Sequence, residues 1–549
     1  MHETPTTPIS FATHPSRYRH WRLAVEGDVA RLTLDVERFG GLDPTIELKG
    51  NSYELSVDIE LADAVERLRF EHPAVRAVVI ESADERIFCS GANIHSLARS
   101  THAHKVNFCK FTNETRLYIE EASAQAGQRY IAACAGATAG GGYELALACD
   151  EILLVDDGAS AVSLPEVPLL AVLPGTGGLT RLIDKRHIRP DRADVFSTTA
   201  EGVKGRRALE WRLVDAIAPR TRFAEVLAGR IDAFRAAATL HAPEQGIILD
   251  PLTPTEDAAG LRYRYVTLAL DAERRVADLT ILGPADDESA DSCDWWPLRM
   301  ARELDDALLQ LRFNHPQIGL IVVRTRGGLA AVHAIGETLA RPEADWLARE
   351  TRYLLSRVLR RLDLTARSIF AVVDEGSCYG GPLFELLLAA DRTYVLDAPG
   401  VACRPGALSD GLLPKWNGLS RLQTRFLDDR AAIGAILDAR PTATGSATSQ
   451  RFPSPAGSGE GLGVRASLNA QTMDELGLAT HLADEIDFED DLRLAIEERA
   501  SLSPDALTGM EASLRFGGPE TMATRIFGRL SAWQNWIFKI GRASWRERV

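Results

Sequence analysis

The stretch CAGATAGGGYELALACD, Cys134 to Asp150, sets three consecutive glycines directly before a helical pattern that opens with Tyr143 and Glu144. Glycine tolerates backbone angles that other residues avoid, and without a side chain it lets a ligand approach the main-chain N–H groups. Where such a turn opens a helix, free N–H donors face outward at the positive end of the helix dipole, a setting for an oxyanion. Glu144 stands in the first turn, where a carboxylate can exchange a proton with whatever those donors hold. Taken alone, the same residues also describe a plain tight turn with Glu144 complementing the dipole. Nucleotide-binding readings fail. A dinucleotide fingerprint counted from Gly140 and Gly142 needs Gly or Ala where Leu145 stands, and no Lys-Ser or Lys-Thr follows to complete a P-loop.

Working outward, the spacing predicts a strand over Val29 to Val36, a helix over Asp58 to Phe70 and a buried strand over Val75 to Ile80. After that strand comes FCSGANI, Phe88 to Ile94, whose small residues would let the N–H of Ala92 supply the second donor that an oxyanion hole needs. A helix is predicted over Thr101 to Gln125, carrying Lys105, Cys109 and Lys110, then strands at Tyr130 to Cys134 and Glu151 to Val155 on either side of the glycine turn. Strand and helix alternate, which implies a parallel sheet with helical crossovers. Further on, Glu166 sits between prolines in SLPEVPLLAVLPGTGGLTRL, Ser163 to Leu182, and reads as an acid in a rigid loop; Arg192 to Ala236 reads as mostly helical.

The second half repeats the first. LRFEHP at Leu68 recurs as LRFNHP at Leu311, an offset of 311 − 68 = 243. Glu385 falls opposite Glu144 at 385 − 144 = 241, and LPGTGGLTRL at Leu173 matches LPKWNGLSRL at Leu413 at 413 − 173 = 240. Three anchors holding nearly one offset point to two copies of one domain. Beyond them WRLVDAIA at Trp211 corresponds to GLATHLAD at Gly477, an offset of 266, and the excess falls on a Ser, Thr, Gly and Pro-rich stretch, 442–470, read as a flexible insertion. Opposite Gly141 the second copy has Pro382, which has no N–H to donate, and opposite Glu166 it has Gly406. A single active site, in the first copy, is therefore expected.

The chain has 549 residues, too many for one ordinary core, and its 45% hydrophobic and 25% charged residues describe a globular protein. A net charge of 62 − 77 = −15 argues against nucleic acid or an anionic membrane as the main partner. The start, MHETPTTPIS, carries neither a basic nor an apolar leader segment, so a cytoplasmic location is expected. Seven scattered cysteines, without a C-x-x-C pair or zinc spacing, suggest neither disulfides nor a metal.

With these residues laid out, the first half resembles the crotonase (enoyl-CoA hydratase/isomerase) superfamily. Its pattern G-A-x-x-G-G-G-x-E-L-A-x-x-C-D is met from Gly136 to Asp150, and its S-G-A-D-I loop appears as Ser90 to Ile94 with Asn93 in place of Asp. The resemblance implies an α/β fold, here a tandem duplication of the crotonase (ClpP/crotonase-like) fold with C-terminal helices. It implies an acyl-CoA thioester whose carbonyl sits between the N–H groups of Ala92 and Gly141, with Gly91, Asn93 and Gly142 beside the substrate. The superfamily's two acid/base glutamates fall on Glu144 and Glu166. Cys109 is carried over as a third participant, since such sites include a cysteine on this helix; as a bare residue it reads as core filling. Lys105 and Lys110 read as solvated rather than as phosphate contacts.

Segments such as NSYELSVDIELADAVERLRFEHP from Asn51 and STHAHKVNFCKFTNETR from Ser100 extend the likeness, from about His20 to Phe538, to tandem members that are ring-opening C–C lyases of aerobic aromatic-acid degradation. That implies hydrolytic opening of an epoxidised aryl-CoA with loss of formate, and no cofactor, CoA being part of the substrate. A plain enoyl-CoA hydratase or a non-catalytic assembly module stays open at this point. The expected organisation is a flexible arm (1–20), a catalytic domain (21–248), a degenerate second domain (249–505), C-terminal helices (506–539) and a foreign-looking basic tail (540–549), IGRASWRERV, that replaces the natural C-terminus. A homodimer is expected.

Overall fold

The computed structural model describes residues 8–238, 243–285, 292–341, 345–438 and 467–529. The chain divides into two compact units, Met1–Pro251 and Leu252–Val549.

In the first unit, β1 (Trp21–Glu26) and β2 (Val29–Leu34) form a hairpin, followed by α1 (Leu55–Phe70), β3 (Ala77–Ser82), β4 (Ile87–Cys89), α2 (Ile94–Arg99) and α3 (His102–Glu121). Next come β5 (Arg129–Cys134), β6 (Ala137–Ala139), α4 (Gly141–Ala148), β7 (Glu151–Val155), β8 (Val162–Ser163), α5 (Glu166–Leu170) and β9 (Ala216–Ala218). The main sheet has the order β1-β2-β3-β5-β7-β9. Only the hairpin is antiparallel; the later neighbours are parallel. Because both faces of its centre are covered, β3 and β5 are apolar at successive positions instead of alternating. The helix Phe223–Ala237 sets Leu227, Ile231 and Phe234 on one face, against Val79, Ile131 and Leu153. Burying each such side chain stabilises by about 1.5–3 kcal/mol. A second, small parallel sheet, β4-β6-β8, carries the site described below.

The second unit begins with β10 (Thr255–Asp257), β11 (Gly260–Arg262), β12 (Val266–Asp271) and β13 (Val276–Leu282), and continues with β14 (Leu320–Arg326), β15 (Ser368–Val373) and β16 (Arg392–Leu396). After the short pair β17 (Ala402–Cys403) and β18 (Leu468–Asn469), β19 (His481–Ala483) closes its sheet, ordered β10-β11-β12-β13-β14-β15-β16-β19. From β12 onward the succession is again one antiparallel pair followed by parallel neighbours. Here too a terminal helix, Phe488–Ser501, packs Phe488, Leu492 and Ile496 on the sheet. Buried glutamates close the same joint in each unit. Glu60 accepts from the N–H groups of Arg19, His20 and Trp21, and Glu303 accepts from those of Arg264, Tyr265 and Val266. Beside them the Tyr18 hydroxyl donates to Asp63 at 2.5 Å and the Tyr263 hydroxyl to Asp306 at 2.6 Å.

Several sequence expectations need correction. Residues 8–20 are no loose arm, since Ile9 and His20 are buried and the Phe11 ring lies 5.5 Å from that of Phe111. The segment 192–236 is mostly helical, as expected, with the three-residue β9 inside it. Leu468 and Asn469, assigned to the flexible insertion, pair with Cys403 and Ala402, and Ala470 begins a helix. Of the predicted C-terminal helix, Met522–Arg529 is described; the tail 540–549 and most of the insertion lie outside the described residues. Among the described residues no helix is long and apolar enough to cross a membrane.

Candidate active site

Three chain segments leave the same end of the small sheet. β4 runs into Ser90, Gly91 and Ala92; β6 into Gly140, Gly141 and α4; β8 into Leu164, Pro165 and Glu166. Since β4 lies parallel to β6 and β6 to β8, their exits stand side by side. Residues far apart in sequence are thereby collected at one place.

The two predicted amides meet there. Tyr53 bridges to Ala92 in parallel, its N–H donating to Gly91 O at 2.7 Å and its carbonyl accepting from Asn93 N–H at 2.8 Å. Those flanking groups take the ladder bonds, so the N–H of Ala92 itself points to the other side. A methyl group placed on Gly141 would lie 3.7 Å from Ala92 N, and one on Gly91 would lie 3.2 Å from Gly141 N. Neither amide has an acceptor among the described residues. Gly141 is the first residue of α4, where no intrahelical acceptor exists for its N–H.

The carboxylates differ in surroundings. Glu144, 2% exposed, is held by the segment that follows α5. Its Oε1 accepts from the N–H groups of Thr176 at 2.9 Å and Gly178 at 2.8 Å, and its Oε2 accepts from the Thr176 hydroxyl. Glu166 is the first residue of α5, not part of an irregular loop as the flanking prolines suggested. Its Oε1 lies 2.8 Å from where a methyl on Gly140 would stand, while its Oε2 is buried with no partner among the described residues. Burial pushes the Glu166 carboxyl up to about 7; its own backbone N–H opposes the rise and the Glu144 carboxylate adds to it. Cys109, on α3, reaches the same neighbourhood: its Sγ would lie 3.0 Å from a methyl on Gly175, next to Thr176. Burial, reinforced by Glu144, pushes its thiol up to about 11, so it stays protonated at neutral pH.

Ala92, Gly141, Glu144, Glu166 and Cys109 are thus brought together. Asn93, Gly91 and Gly142 shape the loops around these groups. Asn93 caps α2, its Oδ1 accepting from Ser96 N–H at 2.9 Å, while its Nδ2 donates to Glu47 O at 3.0 Å and Ser52 Oγ at 2.9 Å. Its hydrogen-bonding capacity is spent inside the protein. Gly142 is required because any β-carbon would come within 2.5 Å of Cys89 Cβ, and Gly91, at φ +86°, because one would meet Ala139 O at 2.9 Å. Thr176 was not singled out from sequence, although it lies in the quoted PGTGG segment, nor were Tyr53, Asp58 and Arg116, taken up below, although the segments quoted from Asn51 and Ser100 contain them.

Residues 47–242 match the enoyl-CoA hydratase/isomerase family model. Over 539 residues the chain is 50% identical to the benzoyl-CoA-dihydrodiol lyase of Aromatoleum evansii, covering 96% of this chain and 93% of that protein. The chain belongs to the enoyl-CoA hydratase/isomerase family. It is also 27% identical over 224 residues to the fatty acid oxidation complex subunit alpha of Aliivibrio fischeri, covering 41% of this chain and 30% of that one. The crystal structure of an enoyl-CoA hydratase from Geobacillus kaustophilus is 32% identical, covers 40% of this chain and 78% of its own, and aligns with a TM-score of 0.35.

The corresponding place in the second unit is closed. A methyl on Gly336, in the helix Leu329–Ala340, would come within 2.5 Å of Gly381 Cα, so that helix lies directly on the turn where a substrate would have to enter. Pro382 occupies the position opposite Gly141. Glu385 is 1% exposed and its Oε2 pairs with Arg421 Nη1 at 3.2 Å. Beside Gly406 stands the carboxylate of Glu337, which accepts from Ala407 N–H at 3.2 Å. Burial pushes the Glu385 carboxyl up, and the Arg421 guanidinium opposes that rise.

Proposed function

We propose that this chain is a benzoyl-CoA-dihydrodiol lyase that hydrolytically opens the ring of 2,3-epoxybenzoyl-CoA, consuming two molecules of water, to give 3,4-dehydroadipyl-CoA semialdehyde and formate in aerobic benzoate degradation. The observation that carries this reading is the 50% identity to the Aromatoleum evansii lyase over 96% of the chain, both units included. In this reading the thioester oxygen lies between the amides of Ala92 and Gly141. Epoxide opening and C–C cleavage both push electron density toward that oxygen, and each fixed donor contributes on the order of 3–4 kcal/mol to holding it. Glu144, whose oxygens already act as acceptors, takes the proton from water. Glu166 gives its proton to the oxygen released from the epoxide. The Cys109 thiol, being neutral, borders the acyl group as a weak donor and not as a nucleophile. Hydrolysis and C–C cleavage here involve no net electron transfer, so the reaction calls for no redox cofactor, and CoA enters as part of the substrate.

The same reading makes the chain a tandem duplication, with a catalytic domain (21–248) and a degenerate partner (249–505) followed by C-terminal helices. The matching strand succession, the terminal helices Phe223–Ala237 and Phe488–Ser501, and the paired Glu60 and Glu303 joints support it. A cytoplasmic homodimer without nucleic-acid or membrane partners completes the proposal, with light scattering as the check on its mass. The decisive assay offers the protein 2,3-epoxybenzoyl-CoA and, separately, crotonyl-CoA, and follows formate. Formate from the first with no hydration of the second is the expected result; hydration of crotonyl-CoA without formate would make the chain a plain hydratase.

A further inference from the structure

Beneath the paired amides lies a buried polar trio that the chemistry above does not use. Tyr53 is 2% exposed, and Asp58 and Arg116 are fully buried. The Tyr53 hydroxyl donates to Asp58 Oδ1 at 2.6 Å, Arg116 Nη1 donates to the same oxygen at 2.9 Å, and Thr115 Oγ1 donates to Asp58 Oδ2 at 3.3 Å. The guanidinium carbon also lies 4.9 Å from the centre of the Tyr53 ring. A buried ion pair is a poor stabiliser compared with apolar residues of the same volume, because desolvating the charges offsets their attraction. Its placement here calls for another account.

Each end of the trio holds one half of the amide pair. The Tyr53 backbone grips Gly91 and Asn93, the two neighbours of Ala92. Arg116 Nη2 points at Gly141 O, 3.5 Å away. Between them, Asp58 on α1 and Arg116 on α3 are joined through a single carboxylate. A displacement of Tyr53 would carry Ala92 with it, and a displacement of Arg116 would release the first residue of α4. We propose that Tyr53, Asp58 and Arg116 are positioning residues that fix the separation and aim of the Ala92 and Gly141 amides. This rests on the reading of those amides as the thioester-oxygen site. The carboxylate of Glu144 also faces Arg116, so the trio adjoins one of the two acids.

The test uses the full-length protein with [carbonyl-13C]benzoyl-CoA as the probe, read by difference infrared spectroscopy, alongside steady-state kinetics on 2,3-epoxybenzoyl-CoA. Wild type should move the bound carbonyl stretch to lower wavenumber. Tyr53→Phe keeps the ring and removes one hydroxyl. It should reduce that shift and lower kcat by about tenfold, KM changing far less, since a misaimed donor costs transition-state stabilisation more than binding. A triple variant, Tyr53→Phe with Asp58→Leu and Arg116→Met, removes both charges of the buried pair together and should fold while losing most of the shift. A full wild-type shift and unchanged kcat in folded variants would overturn the proposal. Loss of folding in both variants would overturn it as well, making the trio a stability element only. Absence of any shift in wild type would instead sink the oxyanion reading on which the proposal stands.

Discussion

Glu144 and Thr176 are joined twice, the Thr176 backbone N–H donating to one carboxyl oxygen at 2.9 Å and its hydroxyl to the other. The second bond depends on the side chain alone. Hydrogen bonds to a charged group contribute roughly 1.5–3 kcal/mol. Thr176→Val, nearly isosteric, should therefore lower kcat by about 10- to 100-fold, and Thr176→Ser, which keeps the hydroxyl, should restore most of it. Equal kcat in the valine and serine variants would show that the backbone N–H groups of Thr176 and Gly178 orient Glu144 unaided.

Burial raises the Glu166 carboxyl to about 7, so near neutrality it still carries a proton for part of the time. An acid in this role works in its protonated form, whose fraction falls as pH rises through about 7. The profile of kcat/KM, which reports the free enzyme, should descend on the alkaline side with a midpoint near that value. Glu166→Gln should lower the plateau and abolish that descending limb. A wild-type profile flat from pH 6 to 9 would assign the acid to another group.

How far the sequence disclosed this arrangement depends on how local each piece is. The glycine turn and Glu144 lie within one short segment, and the N–H of Gly141 is free because it begins a helix, so both follow from chain-local rules. Ala92 was legible through its small neighbours. Thr176 was not, because its partner is 32 residues away in sequence and nothing about a threonine in a glycine-rich segment announces a carboxylate. The strands β4, β6 and β8 span two or three residues each, too few for any periodicity, yet they align the three parts of the site. For Asn93 the motif did not disclose that its side-chain amide is taken up by the α2 cap and by Glu47 and Ser52.

That use of Asn93 has a measurable consequence. Asn93→Asp would restore the residue of the superfamily's pattern and keep an oxygen for the Ser96 N–H. The Nδ2 that donates to Glu47 O would become an oxygen facing an oxygen. Leaving such a buried acceptor unsatisfied costs about 1–3 kcal/mol. Urea denaturation at pH 7 should place Asn93→Asp below wild type by that amount; equal stability would mean that the loop repacks around the new carboxylate.

The sequence repeat sets Glu385 opposite Glu144, and the two differ in the groups beside them. In the first unit the arginine that follows the glycine-rich segment, Arg181, is occupied by Glu120 through two bonds of 2.9 Å, leaving Glu144 to uncharged donors. At 421 − 181 = 240, its counterpart Arg421 bonds Glu385, while the residues at 120 + 240 = 360 and 120 + 241 = 361 are both arginines and offer it no carboxylate. Glu385→Gln should consequently leave kcat on 2,3-epoxybenzoyl-CoA unchanged while stranding a buried guanidinium, at a cost of about 3 kcal/mol in denaturant unfolding. Glu144→Gln should do the reverse, with kcat lost and stability changed much less, since an amide oxygen still accepts from Thr176 and Gly178. If Glu385→Gln abolished turnover in protein that remains folded, the second unit would have to be part of the catalytic machinery, and the assignment of a single working site would fall.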